Sequence, residues 1–412
     1  MRIGMILPTK FPPDIRVEKE LGTLMTEHEV FLLCPKRSDS PAREVWKGMK
    51  IFRVFSDAQR WWNNWRLMAT CYSSSWEREI DHYIQENGLE VLHVHDLPLL
   101  GTALKSAGKH GVPVVADLHE NYPAMLRESL KVPIYNCSSL GALVLRLTVS
   151  VDRWFAYERS AVPQADAVIT VIEEARERLM RNAVPAYKIH VVANYNSQAE
   201  ASDESVNKKR SVHEPGKLRV VYAGGFDKET RDLRTVIDAV ALLERAEFRD
   251  LEVVMVGGVG RELAKLKQYA AQNGVMDRVS IHEWLPLEEA ERIMDSAQVG
   301  LVPHVKSAHT DSTIPHKLFQ YMSRRLPVIV SNCTPLERIV LSSHCGLVYR
   351  SGDSQSLADC MKKIYQSPVD VKHMGDAGHS AVQKKYNWVQ AGENLLRIYS
   401  QFAQRTRTAH VN

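Results

Sequence analysis

Short apolar runs recur along the first half of the chain at residues 3–7, 30–34, 51–55, 91–95, 112–116, 167–171 and 189–193. Each is followed by a stretch whose apolar positions recur at helical spacing. Runs this short and this evenly apolar read as strands buried on both faces, and their alternation with helices predicts parallel βαβ units. A polar stretch at 197–217, rich in Asn, Ser, Glu and Lys and containing Pro215-Gly216, interrupts the pattern and reads as a linker. The alternation resumes at 218–223, 251–256, 279–282, 299–303, 327–331 and 346–349. The expected architecture is therefore α/β, with two Rossmann-like, doubly wound parallel-sheet domains at 1–196 and 218–385. Ligands bind outside the strand C-termini of such sheets, so the two domains are expected to face a cleft. In the last segment, 386–412, Ala391, Leu395, Ile398 and Phe402 share one helix face that has to dock on something.

Composition narrows the class. A chain of 412 residues, 44% hydrophobic and 25% charged, is an ordinary globular protein with enough length for two cores. A formal charge of +4, without a basic block interleaved with aromatics, excludes a nucleic-acid partner. No run approaches the roughly 18 uncharged apolar residues of a membrane span, and the short apolar N-terminus ends at Pro8, so a cytoplasmic protein is expected. The six cysteines (Cys34, Cys71, Cys137, Cys333, Cys345 and Cys360) are dispersed and read as reduced core residues. Two segments combine aromatic or aliphatic residues with arginine: 61–68, with Trp61, Trp62, Trp65 and Arg66, and 140–155, with Leu143, Val144, Leu147, Val151, Arg146 and Arg153. Burial in the first domain is the plainer expectation for them, and peripheral contact with the inner face of a membrane is the second.

The candidate chemistry lies at strand ends. Asp311-Ser312-Thr313-Ile314 is a polar loop, and Pro315 suits the first turn of the helix that follows. Leu318, Phe319 and Met322 pack that helix, and 328–330 is a buried strand. Such a helix start offers free backbone N–H groups to an anion, with His316 and Lys317 beside it. In the second domain, Gly224-Gly225 would let an anion approach the backbone, with Arg231 or Lys228 to neutralise it; a plain glycine turn with solvated charges is an equal reading. In the first domain, His119 follows a strand end, where it could donate a hydrogen bond to a ligand while Glu120 sets its tautomer. Packing is the alternative role. Asp96 ends another strand. His93 and His95 lie on one strand face, but no third ligand follows at suitable spacing, so no metal is expected. Prolines after the first strand, in place of a glycine fingerprint, exclude a dinucleotide site there. Asp14 and Arg16 in that loop could touch a ligand or form an exposed helix-start pair.

The order Pro315-His316-Lys317-Leu318-Phe319-Gln320-Tyr321-Met322 resembles the donor-sugar signature of retaining GT-B glycosyltransferases of family 4 (glycosyl transferases group 1), in the variant Pro-x-Lys-Leu-Phe-Glu-Tyr-Met. The resemblance runs through nearly the whole chain. Gln320 replaces the glutamate of that variant, and the two glutamates of the better-known form would fall on Ser312 and Gln320. The resemblance implies transfer of a hexose from a nucleotide diphosphate sugar to an acceptor hydroxyl, with retention, in glycan or cell-surface polysaccharide biosynthesis. It implies no cofactor beyond that co-substrate, and no metal. Donor contacts would come from Gly224, Gly225, Arg231 and, in reserve, Lys228 at the diphosphate, and from backbone near Trp284 at the base. Asp311, Ser312, Thr313, Ile314, His316 and Lys317 would contact the sugar and its phosphate, and Gln320 the ribose. Two departures stand out: no arginine follows Gly224, and Asp232 replaces the usual glycine after Arg231. His119, with Glu120, would lie against the donor sugar as the catalytic pair, and Asp14, Arg16 and Asp96 on the side of a glycan or lipid-linked acceptor. The last helix would cross back onto the first domain. Two other readings remain: a nucleotide-sugar epimerase of the same form and a non-catalytic nucleotide-sugar binder.

Overall fold

The computed structural model describes residues 1–37, 40–131, 140–196, 217–227, 230–248 and 250–409. Lys228, Cys137 and nearly all of the expected linker lie outside the described residues.

The chain forms two compact units, the first made of Met1–Ala193 with Ala391–Asn412, the second of Asn194–Gln390. In the first, eight strands lie in the order β3-β4-β2-β1-β5-β6-β7-β8. They are β1 (Arg2–Ile6), β2 (Glu29–Pro35), β3 (Arg43–Trp46), β4 (Met49–Val54), β5 (Val91–His95), β6 (Val114–Leu118), β7 (Ala167–Thr170) and β8 (Ile189–Val191). The apolar runs form the central strands because every residue of β5 and β6 is covered from both sides. β3 is the exception. It pairs antiparallel with β4 at the sheet edge, and its half-polar sequence gave no strand signal. Strand order reverses between β1 and β5, so the loops leaving β1, β5 and β6 gather at the switch point where open sheets bind ligands.

The final helix, Trp388–Ala409, buries Leu395, Ile398 and Tyr399, the last against His93 of β5. Of the two aromatic-basic segments, Trp154 is fully buried, whereas Trp62 and Leu147 are exposed; Trp65 donates to Thr148 Oγ1 at 3.2 Å. No helix among the described residues is long and apolar enough to cross a membrane. Cys34, Cys71, Cys333 and Cys345 are free and buried; burial pushes the Cys34 thiol up to about 11, which keeps it an inert core group.

The second unit holds six parallel strands in the order β11-β10-β9-β12-β13-β14. They are β9 (Leu218–Ala223), β10 (Leu251–Gly258), β11 (Val279–Glu283), β12 (Val299–Val302), β13 (Val328–Ser331) and β14 (Gly346–Tyr349). Here the order reverses between β9 and β12. The glycine turn after β9 and the loop after β12 are pinned together: Asp232 N donates to Pro303 O at 2.7 Å, and Arg231 and His304 form an antiparallel bridge.

Candidate functional site

In the first unit the site starts from the two-residue period of β5, which turns His93 and His95 to one face, both fully buried. The β5–β6 register sets His95 opposite Asp117, and His95 Nδ1 lies 3.1 Å from Asp117 Oδ2. Helix Ile15–Leu24 adds Arg16 and Glu20 from one face, four residues apart. Arg16 Nη2 lies 2.8 Å from both Asp117 Oδ1 and Glu20 Oε1, and Nη1 donates to Val192 O at 2.9 Å. His93 Nδ1 meets Tyr399 Oη at 2.5 Å, and its Nε2 sits 3.4 Å from Asp117 Oδ2 and 3.5 Å from Glu20 Oε2. At the rim, His119 Nε2 lies 2.5 Å from Asp117 Oδ2, and its backbone N–H donates to Asp96 Oδ1 at 3.2 Å.

Charge in this cluster is set by competition between burial and neighbours. Burial would raise the Asp117 carboxyl, but Arg16 and His119 outweigh it and hold it well below the usual carboxylate range. Burial pushes Glu20 up to about 7, against the pull of Arg16 and with Asp117 adding to the rise. Burial and His93 drive His95 down to about 3, so it is neutral. Burial would also lower His119, but Asp117 and Asp96 raise it to about 9. At neutral pH His119 is therefore an imidazolium beside an ionised aspartate, a hydrogen-bond donor at the mouth of a buried ionic network.

Three expectations change here. Arg16 is neither an exposed ion pair nor turned toward an acceptor: its guanidinium is committed to two buried carboxylates and a backbone carbonyl. Asp14 caps its helix, accepting from Arg16 N and Val17 N at 3.1 Å. His119 meets the carboxylate of Asp117 at its ring and that of Asp96 at its backbone N–H, two partners the sequence reading did not assign to it. The search for a third metal ligand by sequence spacing missed Glu20 and Asp117, whose ligand atoms lie with those of His93 and His95 within 4.8 Å of one another. Arg16 lies between the two carboxylates, 2.8 Å from an oxygen of each.

In the second unit Gly224 directly follows β9 with a φ of +147°, and a Cβ there would overlap Lys317 Nζ. Lys317 comes from the first turn of helix His316–Ser323, which Pro315 caps from outside rather than opening from within. Lys317 is 8% exposed; Nζ lies 4.0 Å from the Tyr222 ring centroid and has no hydrogen-bond partner among the described residues. Burial, and then the Arg231 charge, hold it well below the usual lysine range, with Asp227 pulling the other way. Arg231 donates through Nη1 to Thr230 Oγ1 at 2.9 Å, and its Nε, 3.9 Å from Asp227 Oδ2, makes no hydrogen bond among the described residues. His304 Nε2 lacks one as well; burial, Arg231 and Lys317 hold that histidine well below its usual value. Lys317 and His304 are buried and Arg231 is half-buried, each has a nitrogen without a hydrogen-bond partner among the described residues, and the Arg231 charge weighs on the other two.

The signature loop is arranged differently from expectation. The Asp311 carboxylate accepts from Thr334 N at 2.7 Å and Thr334 Oγ1 at 3.0 Å, so it caps the start of helix Thr334–Ser343. Ser312 Oγ donates to Ala308 O at 2.7 Å. Both side chains serve the loop itself, and Ile314 is buried. Thr313, His316 and Gln320 are half-buried, Gly225 is exposed, and Trp284 is 67% exposed with its backbone N–H donating to Gly258 O at 3.1 Å. His304 was missed in the sequence, although a histidine directly after the apolar run at 299–303 was the available signal. Tyr222 was hidden inside a strand pattern.

Comparison with known proteins adds the family. The model "Glycosyltransferase Family 4" matches residues 22–195, and "Glycosyl transferases group 1" matches residues 217–367. The chain is 23% identical over 294 residues to the alpha-D-kanosaminyltransferase of Streptomyces kanamyceticus, covering 70% of each protein. It is 25% identical over 241 residues to the amylovoran biosynthesis glycosyltransferase AmsK of Erwinia amylovora, covering 58% of this chain and 57% of that one. Among solved structures, Anabaena HepE in complex with UDP-glucose superposes with a TM-score of 0.68 at 13% identity, over 97% of this chain and 100% of that one. One family match falls on each half of the chain, and together with the fold they identify it as a glycosyltransferase of the GT-B form.

Proposed function

We propose that the chain transfers a hexose from a nucleotide diphosphate sugar to an acceptor hydroxyl, with retention at the anomeric carbon, in glycan or cell-surface polysaccharide biosynthesis. The observation that carries this reading is the group formed by Lys317, Arg231 and His304, built at the strand-order switch of the second unit and short of negative charge. A diphosphate supplies that charge. In the reaction the bond between the anomeric carbon and the diphosphate oxygen breaks, and its electron pair stays with the diphosphate. Lys317 and Arg231 stabilise the charge that develops there. The acceptor oxygen bonds to the same face of the sugar, and its proton passes to the departing phosphate. His119 donates a hydrogen bond to a hydroxyl of the transferred sugar, and Gln320 accepts one from the ribose. HepE, of the same fold, is known with UDP-glucose, and AmsK is named for polysaccharide synthesis. These names support the donor class and the setting.

Incubating the protein with UDP-, GDP-, ADP- and dTDP-sugars and measuring released nucleoside diphosphate tests the proposal; no release and no binding with any of them would overturn it. Arg231→Ala should cost roughly 1.5–3 kcal/mol of donor affinity by calorimetric titration, the worth of one charge-assisted contact. Gly224→Ala should weaken the same binding about tenfold, because its Cβ drives Lys317 Nζ aside and its φ strains an L side chain. Unchanged affinity in Gly224→Ala would mean that Lys317 can leave its place above the turn without loss.

A further inference from the structure

We infer that Asp117 is the positioning residue of His119, fixing the imidazole through Nε2 so that Nδ1–H is the proton offered to a ligand, and that Tyr399 of the final helix steadies the same carboxylate through His93. The inference deepens the reading of His119 as a substrate contact and rests on it.

The geometry leaves Asp117 little freedom. Its Oδ1 is held by Arg16 at 2.8 Å, and Arg16 is in turn tied to Glu20 and to Val192 O. With Oδ1 fixed, the direction of Oδ2 is fixed too, and three imidazoles surround it: His119 Nε2 at 2.5 Å, His95 Nδ1 at 3.1 Å and His93 Nε2 at 3.4 Å. His119 is held at two points, by Oδ2 at the ring and by Asp96 at its backbone N–H. Its Nδ1 lies 3.7 Å from Asp96 Oδ2, beyond a hydrogen bond, and so keeps a proton to donate elsewhere. Behind the carboxylate, His93 is clamped in place: its Nδ1 meets Tyr399 Oη at 2.5 Å, its ring stacks on Tyr399 at an interplanar angle of 10°, and its Nε2 points between Asp117 and Glu20. Burial, with Glu20 and Asp117, holds the Tyr399 phenol well above its usual range, so it stays neutral and can donate to His93.

The charged and titratable groups facing His119 are Asp117 on its own strand end, Asp96 and His95 from β5 and its loop, and Arg16 and Glu20 from helix Ile15–Leu24. Burial opposes its imidazolium, the two aspartates favour it and Arg16 opposes it, and the balance raises it to about 9. Glu20, pushed up to about 7, is the group in this set that changes charge near neutrality. Its ionisation strengthens the field holding His119 positive.

The test is the alkaline limb of the kcat/KM profile, together with ¹⁵N and ¹³C titration of the histidine rings. In the wild type, the His119 resonance should titrate well above the ordinary histidine value, with Nε2 protonated throughout. In Asp117→Asn the alkaline limb should move down by more than one pH unit, with kcat falling more than KM rises. In Tyr399→Phe, which keeps the ring stack and loses the hydroxyl, a smaller shift in the same direction is expected. A limb unmoved in Asp117→Asn overturns the inference. If that variant does not fold, a wild-type His119 titrating near 6.5 overturns it instead. One equivalent of divalent metal in the purified protein, lost on chelation together with the His119 shift, would also overturn it, because Oδ2 would then be a metal ligand. If no donor sugar is turned over, the ring titration still decides the positioning, so failure here and failure of the proposed reaction are separate results.

Discussion

Lys317→Met should bind the donor nucleotide roughly 10- to 150-fold more weakly than the wild type, and yet melt at a higher temperature. The two effects have one cause. In the absence of an anion the Lys317 ammonium is buried, lacks a hydrogen-bond partner among the described residues and sits beside Arg231, so the protonated form is destabilised. That cost applies at any pH below the ordinary lysine value, because the unfolded chain carries the charge there and the folded one resists it. Methionine keeps the stem packed on Tyr222 and removes the nitrogen. Each kcal/mol relieved should raise Tm by about 2–4 °C for a domain of this size. A bound diphosphate reverses the balance by giving the ammonium a partner. Calorimetric titration of the nucleotide and melting curves of both proteins measure the two effects. Undiminished affinity would move the anion site away from Lys317. A lower Tm would show that the nitrogen is structural and not poised for a ligand.

Both sheets were legible in the sequence because their central strands are buried on two faces, which leaves short apolar runs. β3 was not, since an edge strand with one polar face carries neither signal. Gly224, Arg231 and Lys317 could be singled out because they stand at strand ends next to glycine or a helix start, where local rules apply, and the structure brings Gly224 and Lys317 together. Asp311 shows the limit of those rules. Its carboxylate was free to face a ligand as far as the loop sequence tells, but it finds two donors on Thr334, in a helix beyond the next strand. Arg16 was misread for a related reason. A charged residue in the first turn of a helix is usually solvated, and what turns this one inward is a pair of carboxylates, one of them 101 positions away on β6. The Tyr399–His93 contact spans 306 positions, and no local pattern encodes it. The sequence shows that the last helix has an apolar face; it does not show that one tyrosine on that face completes an ionic network.

His119→Ala should lower turnover by roughly 100-fold or more while leaving the fold intact. The imidazole is at the rim of the network, so its removal opens no core cavity, and Arg16 still neutralises Asp117. What is lost is a donor whose charge Asp117 and Asp96 maintain. The pH dependence separates this from a packing role. Because His119 is raised to about 9 in the folded protein, its charge pair is complete below the ordinary histidine value of about 6.5 and is lost as pH rises through the folded one. Wild-type stability should therefore decline between those limits, activity should fall along the upper one, and both slopes should flatten in His119→Ala. His119→Gln, which keeps a donor without the charge, should recover part of the turnover but none of the pH dependence. Wild-type turnover in His119→Ala would reduce the histidine to a packing residue, and the network behind it would then be a device for stability alone.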